Sequence, residues 1–131
     1  MMRILIVEDD FASRNTMLRF LSKYGECDVT VDGLEALDAF AMALEEGEGY
    51  DLICLDIMMP KVDGIKALKT IRDLEKQNNI PNDKRVKVIV TTALAETTCV
   101  KNAFSLGCEA YAPKPIDTRK LTEILAELDL I

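Results

Sequence analysis

The chain has 131 residues, 49% apolar and 30% charged, which suits one domain built on one core. A formal net charge of −7 argues against sequence-independent nucleic-acid binding, which needs a basic surface to replace counterions. The chain has no histidine, which removes every mechanism needing an imidazole of its own, and no apolar run reaches the ~18–20 residues of a membrane span.

Met1-Met2-Arg3 runs straight into an apolar strand over 3–7, so no signal peptide is expected and the expected compartment is the cytoplasm. That strand closes in Glu8, Asp9 and Asp10. A helix is predicted over 11–24, with Met17, Leu18, Leu21 and Tyr24 on one stripe. Asp10 reads as the acid favoured at its N-terminus. A second strand follows over 27–31 and a second helix over 34–46. The third strand, 52–56, is a near-continuous apolar run of the kind buried on both faces of a parallel sheet. It too ends in a carboxylate, Asp56, before Pro60 and Gly64 turn the chain.

A third helix is predicted over 64–78. The stretch from Glu75 to Lys87, with Gln77, Asn78, Asn79, Pro81, Asn82 and Asp83, reads as a solvated loop, or as a partner-specific contact. Strand four is predicted over 86–91, helix four over 96–106 and strand five over 109–112. The last helix, 117–128, carries Leu121, Ile124, Leu125 and Leu128 on one stripe, with Asp117 as N-cap. Gly25, Gly47 and Gly107 stand at expected helix ends, where a left-handed residue is needed. Cys27, Cys54, Cys99 and Cys108 show no metal-finger or CxxC spacing and read as reduced structural thiols.

Five strand–helix pairs in series imply an α/β fold: a doubly wound five-stranded parallel sheet with right-handed crossovers. No linker or repeat interrupts the pattern, so residues 1–131 are expected to form one domain without an output module. Ligand sites in such sheets lie at the C-terminal strand ends. Convergence of the first and third strand ends brings several carboxylates together, and like charges so close need a cation among them. The pattern therefore implies a divalent metal beside Asp56.

The fragments Glu8-Asp9, Leu55-Asp56-Ile57-Met58-Met59-Pro60, Thr92-Ala93, Tyr111 and Lys114-Pro115 fall in order on these strand ends. Together they resemble the receiver domain of bacterial two-component response regulators of the chemotaxis-regulator-like, single-domain kind, over the whole chain. The resemblance implies a flavodoxin-like sheet in strand order 2-1-3-4-5. It implies that Asp56 accepts a phosphoryl group from a phosphohistidine on a sensor histidine kinase or histidine phosphotransfer protein. Glu8 (through water), Asp9, Asp56 and the backbone carbonyl of Met58 would hold Mg²⁺. Lys114 would reach a phosphoryl oxygen, aimed by a cis peptide to Pro115.

In the same reading Thr92 would donate its hydroxyl to the phosphoryl group, and Tyr111 would turn inward when Thr92 moves. Thr91 competes for the role of Thr92. Ala93, being small, would leave Asp56 open to attack. Output would pass to a downstream effector protein through the 96–128 face, with no direct nucleic-acid or membrane contact. Catalysis would be limited to the chain's own phosphorylation and dephosphorylation. Met58 and Leu94 are apolar where a hydrolytic water would be oriented, which implies a long-lived phosphorylated state.

Two other classes compete. A Mg²⁺-dependent phosphohydrolase with an aspartyl nucleophile would carry a second aspartate two positions on, where this chain has Met58. A nucleotide- or flavin-binding domain would show GxGxxG or GxxxxGK[ST], and neither occurs.

Overall fold

Alternation of apolar side chains decides how the first strand is used. In β1 (Met2–Val7), Leu5 and Val7 pack into one core cluster and Ile4 and Ile6 into another, and all four are fully buried. A strand covered on both faces belongs in the interior of a sheet. In the computed structural model, which describes residues 2–58, 63–93 and 97–131 (backbone alone for 97–99), β1 lies between β2 (Gly25–Thr30) and β3 (Leu52–Asp56). β4 (Lys87–Thr92) pairs with β3, and β5 (Ala110–Pro113) with β4. All pairings are parallel and the order is β2-β1-β3-β4-β5, the doubly wound flavodoxin-like topology expected.

The helices are α1 (Phe11–Leu21), α2 (Gly33–Glu45), α3 (Gly64–Gln77), α4 (Thr97–Ser105) and α5 (Thr118–Glu127). Met17, Phe20 and Leu21 of α1 join Leu121, Ile124 and Leu125 of α5 over Ile4, Ile6, Cys54 and Ile89. Phe40 of α2 and Leu68 and Ile71 of α3 cover the opposite face, with Ala103 of α4. Asp10, Asp32, Asp63 and Asp117 cap α1, α2, α3 and α5, each accepting a first-turn backbone N–H. Such a cap contributes about 1 kcal/mol. Among the described residues no helix is long and apolar enough to cross a membrane.

Beyond shifts of one or two residues at element ends, three details differ from the sequence-based expectation. Helix α1 stops at Leu21 rather than Tyr24, and the Tyr24 ring instead meets Phe20 edge-on at 5.5 Å. Gly25 is no helix terminator. It opens β2 opposite Met2, where a Cβ would lie 2.2 Å from the Met2 carbonyl oxygen, so glycine answers a close backbone approach. Gly47 and Gly107 do take left-handed φ, at 73° and 98°. The third difference lies in the polar stretch: a 3₁₀ turn forms over Asn82–Lys84, and Glu75, in α3 as the predicted helix bounds allow, is buried rather than solvated.

The cause is Arg72. Buried in α3, it donates to Glu75 at 2.8 Å, to Glu109 at 2.9 Å and to the carbonyls of Val86 and Gly107. Glu75 in turn accepts from Val86 N at 2.8 Å. This clasp joins α3 to the approaches of β4 and β5 at the sheet end opposite the acids. Cys27, Cys54 and Cys108 are free thiols; burial pushes Cys54 up to about 12 and Cys108 to about 11, which disfavours the reactive thiolate. The Cys99 side chain lies outside the described residues.

Candidate functional site

Strand parity delivers the acids to one place. Glu8 follows Ile4 and Ile6, and Asp56 follows Leu52 and Cys54, so both fall on the side covered by α1 and α5. Glu8 is fully buried, Asp56 is 2% exposed, and Asp9 is open to solvent. Carboxylate oxygens of Glu8, Asp9 and Asp56 all lie within 4.8 Å of one another.

Lys114 arrives from the far edge of the sheet. Its backbone N–H donates to the Thr92 carbonyl at 2.8 Å, and the peptide to Pro115 is cis. Its ammonium reaches across β4, donates to Asp56 Oδ2 at 2.8 Å and forms an ion pair with Glu8 Oε1. The other Asp56 oxygen, Oδ1, accepts the Met58 N–H at 2.9 Å. Glu8 Oε2 accepts the Asp10 N–H at 3.1 Å.

The electrostatics follow from burial. Loss of solvent raises Glu8 to about 7, against the pull of Lys114 and the Asp10 N–H and with help from Asp56. Burial alone would lower Lys114, but its hydrogen bonds to Asp56 and Glu8 outweigh that and raise it. The cation that close carboxylates require is here the chain's own ammonium. The donor set also fits a hard divalent ion: three carboxylates offer oxygens at chelating separation, and exposed Asp9 leaves room for retained waters.

The two threonines of β4 point opposite ways. Thr91 is the register partner of Asp56 and follows Ile89 to the α1/α5 side. Thr92 follows Val88 and Val90 to the other face, where Tyr111, the partner of Val90, packs partly buried. Both threonines are buried, and among the described residues Thr91 Oγ1 has no hydrogen-bond partner. Thr92 and Tyr111 therefore share a face, while Thr91 shares one with Asp56. Ala93 is exposed, and the Met58 side chain stands half-exposed beside Asp56. Met59, Pro60, Leu94 and Glu96 lie outside the described residues.

One neighbour was not singled out from the sequence. Arg14, one turn into α1, donates to the Glu8 carbonyl at 3.2 Å and the Asp9 carbonyl at 3.4 Å. Its guanidinium also lies 5.5 Å from the centre of the exposed Phe11 ring. The available signal was a basic residue four positions after the capping Asp10, the spacing of one helical turn.

The response regulator receiver domain profile matches residues 4–126. The chain is 34% identical to the chemotaxis protein CheY of Treponema pallidum (strain Nichols), over 96% of this chain and 81% of that protein. It is 34% identical to the osmosensing histidine protein kinase SLN1 of Saccharomyces cerevisiae, over 95% of this chain but only 10% of the kinase. It superposes on the CheX–CheY–BeF3–Mg²⁺ complex of Borrelia burgdorferi with a TM-score of 0.84 at 25% identity, covering 98% of this chain and 89% of the matched one. By profile, identity and coverage together, the chain belongs to the response regulator receiver domain family.

Proposed function

We propose that this chain is a phospho-accepting signalling switch with Asp56 as phosphoacceptor. The observation that carries the reading is the convergence of Glu8, Asp9 and Lys114 on a nearly buried Asp56. An Asp56 oxygen attacks the phosphorus of a phosphohistidine on a histidine kinase or phosphotransfer protein. The P–N bond breaks and its electron pair leaves on the imidazole nitrogen. Glu8, Asp9, Asp56 and the Met58 carbonyl would hold Mg²⁺, whose charge offsets that of the phosphoryl oxygens. Lys114 holds a phosphoryl oxygen, Thr92 donates its hydroxyl to another, and Tyr111 repacks on the face it shares with Thr92.

Phosphorylation then acts as a population shift, favouring the active state by ~1–3 kcal/mol, the usual range of allosteric coupling. The 96–128 face carries the output to an effector protein. The kinase among the relatives supports a phosphohistidine donor, and the BeF3–Mg²⁺ complex of the Borrelia structure supports the metal. Such a kinase partner fits a cytoplasmic protein, and the only chemistry the chain would catalyse is its own gain and loss of phosphate. The phosphohydrolase alternative lacks its acid: Met58 cannot move a proton.

Incubation with acetyl phosphate and Mg²⁺, read by intact mass, tests the reading. One hydroxylamine-labile phosphoryl group is expected on the parent and none on Asp56→Asn. Stable stoichiometric phosphate on the variant would place the acceptor elsewhere.

A further inference from the structure

Thr91 is buried beside Asp56 and has no task in the reading above. Its Oγ1 has no hydrogen-bond partner among the described residues, an uncommon and costly state for a buried hydroxyl. The register explains what passes near it. Thr91 pairs with Asp56 on β3 and with Ala112 on β5, and its side chain takes the α1/α5 side, where Ala112 is buried. Lys114 lies two residues beyond Ala112, yet its ammonium bonds Asp56. The lysine stem therefore crosses β4 on the face that Thr91 occupies, near the C-terminal end of the strand. An ammonium has three N–H donors, of which Asp56 Oδ2 and Glu8 Oε1 engage two.

We propose that Thr91 is a positioning residue whose hydroxyl accepts an N–H of Lys114 when the ammonium leaves Glu8, holding the lysine over β4 and aimed at the phosphoryl group on Asp56. The inference rests on the phosphoacceptor reading. In that reading Glu8 would meet the metal through water, so the Oε1 that now pairs with Lys114 is given up; a phosphoryl oxygen takes one N–H, and the three-donor ammonium still has an N–H to place on the β4 side. An apolar residue at 91 would provide no acceptor. Thr92, at the strand end with its hydroxyl committed to a phosphoryl oxygen, does not replace it.

The test uses Thr91→Val, which keeps the shape and removes the hydroxyl, and Thr91→Ser, which keeps the hydroxyl. Initial rates with acetyl phosphate are read beside the Lys114 ammonium NMR signal of the protein carrying beryllofluoride. A hydrogen bond to a charged group corresponds to about tenfold or more in rate. Thr91→Val should therefore lose about that factor in maximal rate, with half-saturating acetyl phosphate unchanged and the ammonium signal weakened by faster exchange. Thr91→Ser should restore both. Parent-like rate and signal in Thr91→Val overturn the inference, as does a Thr91→Ser as impaired as Thr91→Val, which would make the effect one of packing. Lys114→Ala phosphorylated at the parent rate also overturns the inference, since the lysine then has no effect for Thr91 to position, while a parent that gains no phosphoryl group brings down the phosphoacceptor reading itself.

Discussion

The Lys114 ammonium stands 2.8 Å from Asp56 Oδ2, although the two residues are 58 positions apart and β4 runs between their strands. The same ammonium pairs with fully buried Glu8. Without a metal, two buried carboxylates are thus balanced, among the described residues, by the Lys114 ammonium, and removing it should be felt by the whole fold. Lys114→Met should cost about 3 kcal/mol, the lower end for breaking a buried pair. The loss should be larger at pH 8 than at pH 6, because Glu8, raised to about 7, can take a proton at the lower pH. Urea unfolding at the two pH values checks this, and equal losses would mean that Glu8 does not respond to the lysine.

Glu8 also sets a pH dependence whose sign reverses when Mg²⁺ is present. Its pKa rises from 4.5 to about 7 on folding, so the folded chain holds more protons than the unfolded chain between those values. The contribution of Glu8 to metal-free stability is therefore complete below 4.5 and is lost as pH rises through about 7. Mg²⁺ needs the ionised form, so its affinity should climb from pH 6 to pH 8 and then level off. Glu8→Gln should flatten both profiles. A Glu8→Gln variant that keeps the parent's slope in Mg²⁺ titrations would assign the proton to another group.

Thr92→Ala should leave phosphate uptake in place and uncouple it from the output face. The expected readout is amide exchange on the phosphorylated protein, with protection changes over 97–128 present in the parent and absent in the variant. Tyr111→Ala should fall between the two, since Tyr111 packs on the face it shares with Thr92 but has no part in uptake. Equal changes in Thr92→Ala and the parent would show that another group reads the phosphoryl oxygen.

Arg72 should matter for stability and hardly at all for phosphorylation. Its guanidinium satisfies Glu75 and Glu109 and the carbonyls of Val86 and Gly107. Arg72→Ala strands a 2%-exposed Glu75 and should cost about 3–5 kcal/mol. The double variant Arg72→Met, Glu75→Leu removes both charges and should recover a good part of that loss. Thermal or urea unfolding decides it, with acetyl-phosphate uptake as the control expected to stay near the parent's.

The half-exposed Met58 side chain stands beside Asp56 and can orient no water. A long phosphoryl lifetime is expected, and Met58→Asn should shorten it several-fold by positioning a water. Adding Leu94→Glu should shorten it further. A time course of phosphate loss after removing the donor measures both, and unchanged decay in the double variant would place the limit elsewhere.

Much of this was legible in the residues alone, for a local reason. Near-continuous apolar runs such as 52–56, short and bounded by turn residues, read as strands covered on both sides, and each closes in a carboxylate that a dry strand interior would not tolerate. Those two facts lead to a doubly wound sheet and to Asp56, and Asp10 and Asp117 mark helix starts through spacing of a few residues. What the tertiary structure decided are relations with no local trace. An arginine and a glutamate three apart on a helix read as a surface pair, yet Arg72 and Glu75 are buried because Glu109 and the Gly107 carbonyl arrive from 35 or more residues away. Gly25 suits a helix end by sequence, and only its register with Met2 shows that a Cβ has no room there. Thr91 and Thr92 are the same residue type, told apart in the sequence only by the Ala93 that follows Thr92. Strand parity alone sends one toward Asp56 and the other toward Tyr111, because adjacent residues of a strand face opposite sides of the sheet.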